Sequence, residues 1–250
     1  MRADEIQYRG CCDFGVRDMT AIFIDTETTG LDDCDVIQLA TSVPLATPQP
    51  PFSHLPVMSQ LFAPTKPISI GAMATHHIIE SDLAGAARWP GKWTPPGGVQ
   101  WLIGHGVDFD WKAIGTPNVK RIDTLALSRG LWPDLESHAL GALLYFLLPH
   151  EQARELLRSA HSADQDVLLC AILLAEILGR RPMHTWDEVW VASEQARIPT
   201  RMPLGKYGPK DGMPGMRIDE LRHRDPNYVE WCLRQDFDPY LLKALRGEAA

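Results

Sequence analysis

Four apolar residues, Ala21-Ile22-Phe23-Ile24, run straight into Asp25-Thr26-Glu27-Thr28-Thr29-Gly30. An apolar run this short, bounded by turn-forming residues, reads as a buried strand. Side chains alternate between the faces of a strand, so Asp25 and Glu27 project from the same face. Neighbouring carboxylates repel unless a cation lies between them. The pair therefore reads either as solvated turn residues or as part of a metal site. Thr28, Thr29 and Gly30 follow, with backbone N–H groups free to meet an anion.

The rest of the pattern predicts an α/β domain with a mixed sheet. Strands are expected over Val36–Val43, Gln60–Ala63, Trp101–Gly104 and Val119–Ile122. Helices are expected over Ile70–His77, Ser81–Arg88 with Ser81 as N-cap, Asp108–Ile114, Leu125–Leu131 capped by Asp123, and Ser137–Leu148. Ala163–Leu178 is nearly all apolar and reads as a buried helix. Gly91–Gly98 carries two prolines and three glycines and reads as a loop. Residues 180–200 form a hinge or linking helix. Seven prolines and glycines between Pro203 and Gly215 then mark a small C-terminal module, 201–250, with helical pieces at Ile218–His223 and Pro226–Gln235. Met1–Asp18 carries no pattern and is expected to add little to a core spanning 19–179. It has no apolar signal core, and no run approaches the roughly 20 residues of a membrane span. A cytoplasmic location and no membrane partner follow as expectations. The five cysteines lack zinc-type spacing, and Cys170 reads as a small core residue.

Two further acidic clusters stand out. In His105-Gly106-Val107-Asp108-Phe109-Asp110, at a strand-to-helix junction, either aspartate suits a helix start and His105 reads as a satisfied buried histidine. In His161-Ser162-Ala163-Asp164-Gln165-Asp166, Asp164 reads as support for the helix dipole. Asp166 is followed by Val167-Leu168-Leu169-Cys170, where an unpartnered carboxylate is costly.

Taken together the three clusters resemble the DEDD exonuclease superfamily, histidine subclass. The first motif of that family, Asp-x-Glu followed by Thr-x-Gly-Leu, matches Asp25 to Leu31. The second, His-Asn-x-x-Phe-Asp, matches His105 to Asp110 with Gly106 in place of asparagine, which singles out Asp110 over Asp108. The third, His-x-Ala-x-x-Asp, matches His161, Ala163 and Asp166. Ile122 to Pro133, Leu204 to Gly208 and Asp225 to Trp231 resemble the exodeoxyribonuclease X branch in particular. Ala74-Thr75-His76-His77-Ile78 is similar to a nucleotide-contacting His-Gly-Ile of the family.

The resemblance implies a ribonuclease H-like mixed sheet flanked by helices. It implies 3′→5′ hydrolysis of DNA from an accessible 3′ end, releasing 5′-mononucleotides. Asp25, Glu27, Asp110 and Asp166 are the implied ligands of two Mg²⁺ ions, which Mn²⁺ can replace; hard divalent cations suit an all-oxygen set. Asp25 bridges both ions, Glu27 and Asp166 complete one site, and Asp110 holds the other largely through water. His161 is the implied general base, a role suited to a side chain with a reference pKa of about 6.5. Thr28, Thr29, Leu31 and His76 are the implied substrate contacts, with Leu31 against the terminal base. The net charge of -8 excludes a basic coat protein. Residues 200–250 hold nine Lys/Arg against eight Asp/Glu, so the acidity lies in the main body. A phosphatase with an aspartate nucleophile leaves Asp110 and His161 unexplained. An exoribonuclease of the same superfamily and a catalytically silent nucleic-acid-binding module remain the alternatives.

Overall fold

The computed structural model describes residues 19–52 and 54–248; Met1–Asp18, expected to stand apart from the core, lies outside them. Among these residues six strands form one mixed sheet: β1 (Thr20–Thr28), β2 (Val36–Ser42), β3 (Val57–Ala63), β4 (Ala87–Arg88), β5 (Val99–Gly104) and β6 (Lys120–Asp123). Their spatial order is β4-β3-β2-β1-β5-β6. β1 runs antiparallel to β2 and parallel to β5, and β5 runs parallel to β6. Among the described residues ten α-helices accompany the sheet: α1 (Ile70–His76), α2 (Asp108–Ala113), α3 (Thr124–Leu131), α4 (Leu140–Leu147), α5 (His150–Leu156), α6 (Ala163–Arg180), α7 (Trp186–Arg197), α8 (Ile218–Arg224), α9 (Pro226–Cys232) and α10 (Pro239–Arg246). This is the α/β class with a mixed sheet that the pattern predicts. None of the described helices is long and apolar enough to cross a membrane.

The alternation along β1 organises both layers. Ala21 and Phe23 point to one face and pack with Ala40, Trp101 and Ile103 against Val167, Cys170, Ala171 and Leu174 of α6. Ile22 and Ile24 point to the other face and pack with Leu39, Leu102, Val107, Ile114 and Trp93 on the side of α2. Each wholly buried aliphatic or aromatic side chain contributes about 1.5–3 kcal/mol. Continued by two residues, the α6-facing register delivers Asp25 and Glu27 to the N-terminal end of α6. Thr26, between them, turns toward α2.

Three local expectations need correction. Ser81–Arg88 is not a helix: a short 3₁₀ turn at Glu80–Leu83 gives way to β4, which pairs with β3. Gly85, at φ +83°, breaks the helical path, and the turn is capped by Asp82 accepting from the Ile79 N–H at 2.9 Å, not by Ser81. Helix α4 begins at Leu140, because Ala139 is extended with no side-chain cap. Strand β3 begins three residues earlier than expected, at Val57. Residues 180–200 hold α7, whose Trp186, Val189 and Ala192 join the core of the body. Beyond Arg201, Met202, Ile218, Leu221, Val229, Cys232, Leu241 and Leu245 form a cluster of their own.

Candidate active site

Asp25, Glu27 and Asp166 meet at the carboxyl end of β1: an oxygen from each lies within 4.8 Å of the others. The first two arrive by strand alternation and the third from the first turn of α6. Asp110 reaches the same region from the opposite layer, on α2. It is 5% exposed, and one of its oxygens accepts from both Thr26 N–H (2.9 Å) and Thr26 O–H (2.7 Å). Thr26 thus ties α2 to β1 between the two motif carboxylates, a role that its place inside Asp-x-Glu does not reveal.

Without a counter-ion the cluster is electrostatically strained. Burial pushes the Glu27 carboxyl up to about 8, with Asp166 and Asp110 adding repulsion. Asp25 is held well above its ordinary value by burial, then by Asp110, Asp166 and Glu27. It retains a little surface, but its carboxyl is enclosed by protein, so desolvation sets the direction. Asp110 rises to about 7 through burial, although both Thr26 donations pull it back. Asp166 is raised by burial and drawn down by the His161 backbone N–H and charge. Four oxygen donors that repel one another fit a hard divalent cation, which would relieve both the desolvation and the repulsion.

His161 sits in the turn before α6, solvent-exposed, with a left-handed backbone at φ +68°. Its N–H faces Asp166 Oδ1 at 3.4 Å. Gly106, where the family carries asparagine, has φ +80°, a conformation that glycine and asparagine both tolerate. Its N–H donates to Asp123 Oδ1 at 2.9 Å, and the same oxygen caps α3 through Leu125 N–H. Asp123 is therefore a cap, as expected. His105 is half-buried with both ring nitrogens partnered: burial lowers its pKa, and its ring meets the His138 carbonyl at 2.8 Å and the Thr124 hydroxyl at 3.1 Å. Asp108 points away from the carboxylates, clamped between Arg121 and Arg197.

Beside the carboxylates lies a cavity of about 390 Å³ lined by Glu27, Thr28, Gly30, Leu31, Thr75, His76 and Phe109 among others. Leu31 is 83% exposed at its rim. His76 is buried in its wall; its Nδ1 accepts from Ile78 N–H, so Nε2–H donates to the Thr28 carbonyl at 3.2 Å. Both ring nitrogens are thereby occupied, leaving the ring itself to face the cavity. The Thr28 hydroxyl donates to the Gly30 carbonyl. Thr29 does not line the cavity; its hydroxyl accepts from Asp35 N–H and holds the following loop. A larger cavity, about 730 Å³, lies between α3, α7 and the start of α10 and contains none of the four metal-type carboxylates.

No family profile matches the chain. Over 215 residues it is 30% identical to Exodeoxyribonuclease 10 of Escherichia coli K12, covering 83% of this chain and 88% of that protein. Among solved structures it resembles exonuclease X in complex with 5′-overhanging duplex DNA. That match has a TM-score of 0.53 and 25% identity, over 69% of this chain and 99% of the other. An E. coli ExoI–single-stranded DNA complex in its zinc-bound form has a TM-score of 0.50 and 17% identity, over 66% of this chain and 42% of that one. This second likeness concerns the fold, which is ribonuclease H-like.

Proposed function

The chain belongs to the exodeoxyribonuclease X family of DEDD exonucleases, and from that premise we propose that it removes 5′-mononucleotides from the 3′ end of DNA by a two-metal mechanism. The observation that carries this reading is the convergence of Asp25, Glu27 and Asp166 within 4.8 Å beside a nucleotide-sized cavity. Asp25, Glu27 and Asp166 would hold one divalent ion, with Asp25 shared and Asp110 serving the second. The all-carboxylate set favours Mg²⁺, with Mn²⁺ as a substitute. The bound ions would supply positive charge to the scissile phosphate and lower the pKa of the attacking water.

The protein's own groups do the rest. His161, at the mouth of the site, accepts the water's proton. Its exposure leaves the ring free to turn toward Asp166. The terminal nucleotide occupies the cavity with Thr28, Leu31 and His76 against it, and Thr29 supports the loop behind. Leu31, apolar and protruding, packs against a base without reading its identity. Residues 201–250, with their own small core, form a separate module that adds contacts to the strand, and the protein works in the cytoplasm.

A 5′-labelled single-stranded oligonucleotide tests the polarity. The expected product is a ladder shortening one nucleotide at a time from the 3′ end, dependent on Mg²⁺. Release of the label as a mononucleotide in the first turnovers would reverse the direction, and internal fragments alone would remove exonuclease action.

A further inference from the structure

Helix α6 begins without a cap of its own. Ser162 occupies the N-cap position, but its side chain accepts no N–H from the first turn; its hydroxyl instead donates to Asp164 Oδ1 at 2.9 Å. An uncapped first turn leaves N–H groups that need an acceptor. The acceptor comes from the sheet. Gln38, 8% exposed on β2, receives the Ala163 N–H on Oε1 at 3.1 Å. Its Nε2 donates to Asp164 Oδ1 at 3.3 Å and to Ser59 Oγ at 3.0 Å. One acceptor site and both amide hydrogens are thus in use, a combination that neither glutamate nor methionine can supply.

Gln38 also has a fixed relation to the carboxylates. In the β1–β2 register it stands directly opposite Glu27, and Ala40 stands opposite Asp25. Directly opposed residues share a face with Cβ atoms about 5 Å apart. The amide therefore spans from the strand position facing Glu27 to the residue two after His161. The turn it meets needs holding: His161 is a non-glycine residue at φ +68°, a conformation disfavoured for L residues.

We propose that Gln38 is a positioning residue: it caps α6 from the neighbouring strand and thereby fixes the His161 turn relative to Glu27. Asp166 is less dependent on it, because its N–H bonds the Ser162 carbonyl at 3.0 Å and the next residue, Val167, is locked in the core. The proposal rests on His161 acting as general base, and the test separates the two.

The experiment is a double-mutant cycle on the full chain, Gln38→Met against His161→Ala, reading kcat, KM and Mn²⁺ affinity by calorimetry. Gln38→Met alone is expected to lower kcat about ten-fold, within what a displaced general base loses, while KM and Mn²⁺ affinity stay within about two-fold. In the His161→Ala background the same change should alter kcat by less than about two-fold, since the group it positions is gone. Unchanged kcat in Gln38→Met, equal losses in both backgrounds, or a parallel loss of Mn²⁺ affinity each overturns the proposal. Normal turnover in His161→Ala with Gln38 intact overturns the general-base reading instead, and with it any route through His161. If Gln38→Met fails to fold, the exchange Gln38→Glu with Asp164→Asn keeps both bonds to α6, the one to residue 164 with its direction reversed. It should recover kcat relative to Gln38→Glu alone, and no recovery refutes the cap.

Discussion

Replacing Asp25 by asparagine is expected to abolish cleavage and, in the absence of metal, to stabilise the fold at alkaline pH. The cause lies in the raised carboxyls. The Glu27 carboxyl titrates near 8 in the fold instead of 4.5, and Asp25 is also held well above its ordinary value. A folded pKa above the unfolded one means that the fold holds a proton which the unfolded chain releases. Stability is then fully present below about pH 4.5 and is lost as pH rises toward 8. At face value the Glu27 shift corresponds to roughly 4–5 kcal/mol. Water and counter-ions reaching the cluster reduce the effect of one removed carboxylate to about 1–3 kcal/mol. For a chain of this size that is a rise in Tm of roughly 3–9 °C. Thermal melting in EDTA at pH 8 should therefore place Asp25→Asn above the wild type, and the gap should close as pH falls toward 3.8, the ordinary value of an aspartate. Adding Mg²⁺ should reverse the order, because the wild type gains a ligand that the variant has lost. A variant that melts at or below the wild type in EDTA at pH 8 would refute the electrostatic account. Normal turnover would remove Asp25 from the chemistry.

Three more outcomes follow. Replacing His161 by alanine should lower kcat by roughly 10²- to 10⁴-fold, while calorimetric titration finds Mn²⁺ affinity retained; loss of both would make His161 a ligand. Thr26→Val removes one of the two Thr26 donations to Asp110, so the Asp110 carboxyl should titrate above its present value of about 7. NMR titration of the metal-free protein checks the direction, and a downward move contradicts it. Removing residues 201–250 should raise KM and leave kcat largely intact. Arg201, Lys206 and Arg217 already meet Gly215 O, Asp225 and Asp219, so the slope of log affinity against log salt should flatten by only about 0.7, one phosphate contact on a single strand. An unchanged slope with a lowered Tm makes the module structural.

The parts of this molecule that are legible in the sequence are those governed by a short period or a motif. Strand alternation alone puts Asp25 and Glu27 on one face, and the apolar run after Asp166 marks that carboxylate as needing a partner. Asp123 is readable as a cap because capping is local. The parts that are not legible depend on distant residues. Nothing near Ser81 signals that Gly85 diverts the chain into β4 instead of a helix. Gln38 reads as an ordinary polar residue in a strand, since its hydrogen-bond partner, Ala163, lies 125 residues away. Arg197 gives no local hint that it closes on Asp108 and, through Tyr240, meets the C-terminal module. Helix α10, between Pro239 and Arg246, is short and buries only Leu241 and Leu245, so its period is brief; its local marks are Asp238 as N-cap, Pro239 in the first turn and Gly247 just past its end.

The most direct test of the central claim is mononucleotide release from a 3′-labelled oligonucleotide, measured with Mg²⁺, with EDTA, and with Asp25→Asn at saturating Mg²⁺. Release of the labelled 5′-mononucleotide is expected in the first condition alone. Release in EDTA, or from Asp25→Asn at the wild-type rate, would contradict the two-metal reading.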